Sequence, residues 1–246
     1  MHEADVLVKS PSVPLVSVVI PALNEAGGIE SAIESVRLQD EPHEIIVVDG
    51  GSADATRTLA GRHARILESP RGRARQMNHG AAAARGDILL FLHADSRLPS
   101  GALRRIREVI ATGAECGAFR LAFDRPNPLL LFYSSCTRLP LPRLCFGDRG
   151  LFTRRDVFEK LGGYPDIPLF EDLELVRMLH KRGRFEFLAD QVTTSARRFV
   201  RSGYLRQQIR NTYLWLHYVA GTNPDKLVHL YPYDHLYEYP YDHPYE

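Results

Sequence analysis

The chain has 246 residues, 44% hydrophobic and 25% charged, with a formal net charge of +1 at pH 7. That is enough apolar material for a full core in one domain with at most a small appendage, and the near-zero charge implies no general affinity for nucleic acid or anionic membranes. Arg supplies 27 of the 31 basic residues. This suits bidentate phosphate contacts, although a GC-rich genome would give the same bias.

Residues 1–14 are polar, carry Glu3 and Asp5, and lack an apolar signal core. They are expected to form a flexible lead. Val16-Ser17-Val18-Val19-Ile20 reads as a strand stopped by Pro21. Ile29, Ala32, Ile33 and Val36 then recur at helical spacing. Ile45 to Val48 form a second strand ending on Asp49, followed by a helix over 54–63 and a short strand at Ile66-Leu67. Gly72 to Arg85 is helical, with Ala81 to Ala84 favouring that state. It leads to the apolar run Ile88 to Leu92, a buried central strand. This alternation predicts an α/β fold around a doubly wound, mostly parallel sheet.

Pro99 is expected to open a helix reaching about Ala111, and Gly117 to Phe123 reads as a strand. Leu129 to Cys136 is expected to be a short buried helix, ended by the loop of Pro140 and Pro142. Arg155 to Leu161 is helical and closes at Gly162-Gly163. Glu171 to Arg182 is another helix, with Leu173, Leu175, Val176 and Leu179 inward. Leu205 to Val219 completes the set as an amphipathic helix bearing Tyr213, Trp215 and Tyr218; it either closes a core or meets a lipid-like acceptor or partner subunit. Residues 15–222 make one domain, with a ligand-binding half (15–98) and a second half (99–222). Residues 223–246 form a tail in which Tyr231-Pro232-Tyr233-Asp234-His235 recurs as Tyr239-Pro240-Tyr241-Asp242-His243. Its His and Asp residues could bind a metal, but the composition favours disorder.

No run reaches the length of a membrane span. Cys116, Cys136 and Cys145 lack C-x-x-C spacing, which points to reduced thiols and a cytoplasmic protein.

Three acidic stations carry the chemistry. Asp49 ends the second strand ahead of Gly50-Gly51-Ser52, where small residues admit a ligand and the Asp can accept from a base or ribose. The same tetrad is also good turn chemistry. Asp95 follows the Ile88 strand in His93-Ala94-Asp95, at the carboxyl edge where α/β sheets bind ligands. A carboxylate there can hold a divalent cation, which in turn holds a diphosphate. Glu171-Asp172 opens a helix, where acids are favourable through the helix dipole alone. The sequence has no Gly-Lys-Ser/Thr phosphate loop, no G-x-S-x-G elbow and no H-E-x-x-H.

Together these motifs resemble the family 2 glycosyltransferases of the GT-A fold. Val18 to Glu25 resembles their opening strand, Val47 to Thr56 their nucleotide-binding strand and turn, and His93-Ala94-Asp95 stands at their D-x-D motif. Gly147 to Gly150, Gly162-Gly163-Tyr164 and Glu171-Asp172 resemble their acceptor side. Gly72 to Gly80 adds a narrower likeness to a bacterial subfamily associated with radical-SAM or selenoprotein-type gene clusters and arsenosugar biosynthesis.

The resemblance implies hexosyl transfer from a nucleotide-sugar, with UDP-sugar the expected donor, to a hydroxyl acceptor. It implies a donor pocket of Pro21, Ala22, Asn24, Glu25, Asp49, Gly51, Asp54, Arg73, Asn78, Ala94, Arg197 and Arg198. Asp95, with His93, would bind Mn2+ or Mg2+. Asp172 would be the general base of an inverting reaction, with Glu171, Gly147 and Asp148 on the acceptor side. No nucleic-acid partner is expected, and peripheral association with the inner face of a membrane stays open.

Two departures stand out. His93 replaces the first D-x-D acid, and no His occurs between Leu188 and Phe199 to add a metal ligand. Three other classes remain as alternatives. A sugar nucleotidyltransferase would want a basic Gly-rich loop after the first strand, where Asn24 to Gly28 is acidic. A non-catalytic sugar- or metal-binding protein would use the Tyr/His tail, and a glycosidase would need two flanking carboxylates.

Overall fold

The computed structural model describes residues 13–230, so the Tyr/His repeat and most of the predicted lead lie outside the described residues. The first half alternates as the sequence dictates: β1 (Val16–Ala22), α1 (Ile29–Arg37), β2 (His43–Asp49), α2 (Thr56–Ala60), β3 (Arg65–Glu68), α3 (Arg73–Ala83) and β4 (Ile88–Phe91). Then come β5 (Ser96–Arg97), α4 (Ala102–Ala111), β6 (Cys116–Phe123), α5 (Pro128–Cys136), β7 (Leu151–Arg154), α6 (Arg155–Leu161) and α7 (Glu171–Arg182). The described residues finish with β8 (Phe185–Thr194), α8 (Arg197–Ser202), α9 (Tyr204–Val219) and α10 (Pro224–Leu227).

These strands form one sheet in the order β3-β2-β1-β4-β7-β6-β8-β5. β3, β2, β1 and β4 run parallel, whereas β7 is antiparallel to both β4 and β6. Central strands covered on both faces must be apolar throughout, and β4 is buried at all four positions. Alternate residues of β1 feed two cores. Val16, Val18 and Ile20 pack with Ile29, Ile33 and Val36 of α1 and with Leu103 and Ile106 of α4. Val19 packs on the other face with Met77 of α3, Phe158 of α6 and Leu175, Val176 and Leu179 of α7. The result is a three-layer α/β/α sandwich.

Four expectations need correction. Pro21 does not stop β1, which continues to Ala22. Pairing with β4 ends at Val19–Phe91, so at Pro21 the strand has a neighbour on one side and its missing N–H is not needed. Pro99 does not open α4. The helix starts at Ala102 after Gly101, whose φ of 72° lies in the left-handed region. The helix predicted at Leu129 to Cys136 exists, but only Leu130 is buried, and Leu131 and Phe132 are exposed. Finally, β7 and β8 were not foreseen. β7 is a four-residue piece whose apolar content, Leu151-Phe152, is too short for a periodicity signal.

Candidate active site

Parallel strands deliver their last residues to one edge of the sheet. Ala22 ends β1 opposite Asp49 of β2, and the chain leaving β4 turns through His93-Ala94-Asp95. Gly28, ahead of α1, packs onto that turn. A Cβ there would lie 3.0 Å from the Ala94 carbonyl and 3.2 Å from Asp95 Cα, so a side chain at this position would press on the turn.

On the β2 side, Asp49 is buried, and its carboxylate accepts from the backbone N–H groups of Gly51 and Ser52 and from the Ser52 hydroxyl. Asp49 thus shapes its own turn as well as standing at the expected donor site. Ser52 and Asn24 tie the loops after β1 and β2 together, because Ser52 Oγ accepts from Asn24 N and Asn24 Oδ1 accepts from Ala53 N. Asp54 accepts from Ala26 N and from the backbone and hydroxyl of Thr56; desolvation raises its carboxyl, and these bonds together outweigh that and hold it below the usual range.

On the β4 side, Arg197 of α8 lies 3.3 Å from Asp95 Oδ2 and 2.5 Å from Glu25 Oε1, so it joins the loops after β1 and β4. Thr194, at the end of β8, lies 3.5 Å from Asp95 Oδ1. Burial, then Arg73, push His93 down to about 3, with Arg198 acting the same way and Asp95 opposing. The imidazole is therefore neutral at neutral pH and has a nitrogen lone pair to offer.

The acceptor side meets this turn at Gly147. Its N–H donates to Asp172 Oδ2, and a Cβ on it would fall 2.8 Å from that oxygen and 3.2 Å from His93 Nε2. Gly147 is therefore wedged between Asp172 and His93. Asp172 Oδ1 also accepts from Leu173 N at 2.8 Å. Arg73, opening α3, lies 4.0 Å from Glu171. Burial raises all three carboxyls here. Glu171 rises to about 7, helped by Asp172 and opposed by Arg73. Asp148 also rises to about 7, helped by Asp172 and opposed by Arg149. Asp172 rises too, restrained by the Gly147 N–H and Arg73. Such a cluster of raised carboxyls makes this the candidate place for acid–base chemistry.

The clustering has a cost that can be measured. Asp148 has a folded-state pKa above its unfolded value, so the stability tied to its protonation is complete below the unfolded pKa and is lost as pH rises through about 7. Asp148→Asn should raise the melting temperature at pH 8 by several degrees and change it little at pH 5. Scanning calorimetry at the two pH values checks this, and equal shifts at both would refute the charge explanation.

Asn78, expected in the donor pocket, is engaged with the backbone of Tyr164. Its side chain donates to the Tyr164 carbonyl and accepts from the Tyr164 N–H, both at 2.8 Å, so its polar atoms fix the turn before α7. Three supporting residues had no role in the sequence reading. Gln76 Nε2 donates to the carbonyls of Ala22 and Val48, bracing β1 and β2 at the carboxyl edge. Its spacing with Met77, Gly80 and Ala81 places it on the buried stripe of α3, which was the available signal. Arg149 is 1% exposed and donates to the carbonyls of Phe119, Leu144 and Thr137, with its guanidinium 5.3 Å from the Phe187 ring centroid. Phe170, directly before Glu171, has φ of 65°, unusual for a bulky residue, and its ring stacks on Tyr218 of α9 at 4.5 Å.

A divalent cation is the group this arrangement would need, and the donor chemistry fits one. Glu25 Oε2 and Asp148 Oδ1 are buried without hydrogen-bond partners among the described residues. Asp95 offers a carboxylate and His93 a neutral ring. No group of three or more His, Cys, Asp and Glu side chains among the described residues could hold an ion alone. A site of this kind suits Mg2+ or Mn2+ completed by substrate phosphates.

A sheet of this order with these stations at its edge defines a GT-A-type α/β domain. The chain belongs to glycosyl transferase family 2, whose family model matches residues 17–162, more than half of its length. Glycosyltransferase AglE of Haloferax volcanii is 29% identical over 174 residues, covering 63% of this chain and 57% of that protein. Succinoglycan biosynthesis protein ExoA of Rhizobium meliloti is 34% identical over 110 residues, covering 40% and 33% respectively. The chain thus spans little more than half of the first relative and a third of the second. Among solved structures, the mannosyltransferase PcManGT from Pyrobaculum calidifontis, in complex with GDP-Man and Mn2+, superposes with TM-score 0.64 at 20% identity. That match covers 88% of this chain and 68% of the other. S. aureus TarS 1-349 with UDP-GlcNAc gives TM-score 0.59 at 18% identity, covering 73% and 58%.

Proposed function

We propose that the chain catalyses inverting transfer of a hexosyl group from a nucleotide-sugar, a UDP-sugar in the first instance, to a hydroxyl acceptor. One observation carries this reading: Gly147 sits between Asp172 and His93, which brings the acceptor-side carboxylate to the turn bearing Asp95. The donor would lie along the carboxyl edge, its base and ribose beside Asp49 and the loop of Pro21, Ala22, Asn24 and Glu25, with Gly51, Asp54 and Ala94 lining the approach.

Asp172 takes the proton of the acceptor hydroxyl as that oxygen bonds to the anomeric carbon. The bond from that carbon to the diphosphate breaks and its electrons leave with the nucleoside diphosphate. One displacement inverts the anomeric centre. General-base assistance of this kind contributes about 10²–10⁴-fold. Glu171, held by Arg73, and Asp148 orient the acceptor, while Arg73, Arg197 and Arg198 offset phosphate charge. Asp95 and His93 would hold Mg2+ or Mn2+, which when bound neutralises charge developing on the leaving diphosphate. The reading includes a cytoplasmic setting and peripheral association with a membrane surface, for which α9 is the candidate element. A binding protein that relied on the Tyr/His tail would keep no transfer and would lose ligand on deletion of 231–246.

The test is calorimetric titration with UDP-, GDP- and dTDP-sugars, with and without Mn2+. One donor should bind in a metal-dependent way, and Asp95→Asn should weaken that binding about tenfold or more while sparing metal-free nucleotide binding. Undiminished metal-dependent binding by the variant would remove Asp95 from the site, and failure of every donor would sink the proposal.

A further inference from the structure

We propose that α9 is a membrane-surface helix, whose outward apolar stripe and adjoining arginines seat the chain on an anionic lipid bilayer. This names the surface behind the peripheral association included above and rests on that part of the reading, not on the transfer chemistry.

A surface helix of a globular protein ordinarily turns its apolar stripe to the core. α9 is built the other way round. Leu205, Ile209, Tyr213, Leu216 and Val219 follow at three- or four-residue spacing, and all are exposed, Leu205 at 67% and Ile209 at 61%. The fully buried residues of the helix are Gln207 and Leu214, and Gln207 spends its amide on Asn211. The stripe runs the length of a 16-residue helix, about 24 Å.

Apolar exposure is concentrated around this element. Among the described residues, every large hydrophobic side chain of high exposure lies within 131–141 or 200–219, except Val13, Leu38 and Leu230. The two segments adjoin. Leu130 of α5 packs with Phe199 of α8 and Tyr204 of α9, and Trp215 Nε1 donates to the Arg143 carbonyl at 3.0 Å. Arg143 and Leu141 are thereby held beside α9.

Charge selects the occupant. No Asp or Glu occurs from Gln191 to Pro224, nor from Arg125 to Gly147. The near-zero net charge of the whole chain conceals this local excess. Arg143 and Arg206 are exposed, and among the described residues neither is in an ion pair. Pairing of two copies through α9 would set these arginines against each other with no acid in either segment to answer them. Anionic headgroups would receive them, while the aliphatic side chains enter the boundary between headgroups and acyl chains. No helix among the described residues is long and apolar enough to cross a membrane, so the mode is adsorption on the surface.

Flotation of the full chain with phosphatidylcholine vesicles, with and without phosphatidylglycerol, tests this. Binding should require the anionic lipid and weaken with added salt. Ile209→Ser/Leu216→Ser and Arg143→Glu/Arg206→Glu should each lower partitioning roughly tenfold or more. The four positions are exposed, so circular dichroism and donor binding should match the unaltered chain. Those two readouts keep a failed membrane assay distinct from a failed functional reading. Absence of vesicle binding, or equal binding by the variants, would overturn the proposal. So would a concentration-dependent dimer in sedimentation equilibrium that the Ser pair abolishes, or vesicle binding seen only after deletion of residues 231–246.

Discussion

Asp172→Asn should abolish sugar transfer and leave nucleotide-sugar binding in place. The two carboxylate oxygens accept separately, Oδ2 from Gly147 N and Oδ1 from Leu173 N, so the single amide oxygen can keep the bond from Gly147 and gives up the one from Leu173, and the amide cannot take a proton. Loss of a general base costs about 10²–10⁴-fold. The pH profile should carry the same signature. Burial raises Asp172, and its neighbours Glu171 and Asp148 stand near 7. The acid limb of kcat/KM should therefore lie above the ordinary carboxylate range, with activity falling as pH drops through it. Single-turnover transfer and calorimetry on one preparation decide the matter. A variant that retained transfer within a factor of a few would remove Asp172 from the mechanism, and one that lost donor binding in parallel would make the residue structural.

Arg149→Leu should give the largest loss of stability, about 3–5 kcal/mol. The substitution strips donors from three carbonyls, those of Phe119, Leu144 and Thr137, that converge on one guanidinium among buried neighbours. It also removes the contact with the Phe187 ring. Against a typical total of about 5–15 kcal/mol, that is a large share. Arg149→Lys should recover only part of it, because an ammonium cannot address three directions with a planar fork. Urea unfolding measures both, and a shift below about 1 kcal/mol for Arg149→Leu would mean that water replaces the lost donors. Because Arg149 closes the turn that presents the Gly147 N–H to Asp172, loss of this cation should disturb the site as well as the fold.

The legible parts of this molecule are those governed by short-range rules. Apolar runs such as Ile88 to Leu92 announce central strands, and the Gly162-Gly163 stop and the spacing of Leu173, Val176 and Leu179 announce helices. The acidic stations could be read because a strand end or helix start fixes where a side chain emerges. What escaped depends on contacts distant in sequence. β7 is defined by its partners β4 and β6 rather than by its own four residues. Gln76, Arg149 and Asn78 act on backbone carbonyls or amides that no local pattern names. Burial of α5 was misjudged for the same reason, and the direction of the α9 stripe was left open. An amphipathic pattern reports that a stripe exists, and only the tertiary structure says which way it faces.

Phe170 leaves one more point to draw out. A bulky residue in the left-handed region stores about 1–3 kcal/mol, which persists only where the surroundings enforce it. Here the enforcement comes from Tyr218, whose ring covers Phe170 and whose hydroxyl reaches Glu174, two residues beyond Asp172. A shortened chain ending before Tyr204 would thus retain all the acids yet release the kink that aims them. Through Tyr218 the last long helix thus buttresses the candidate site from outside it.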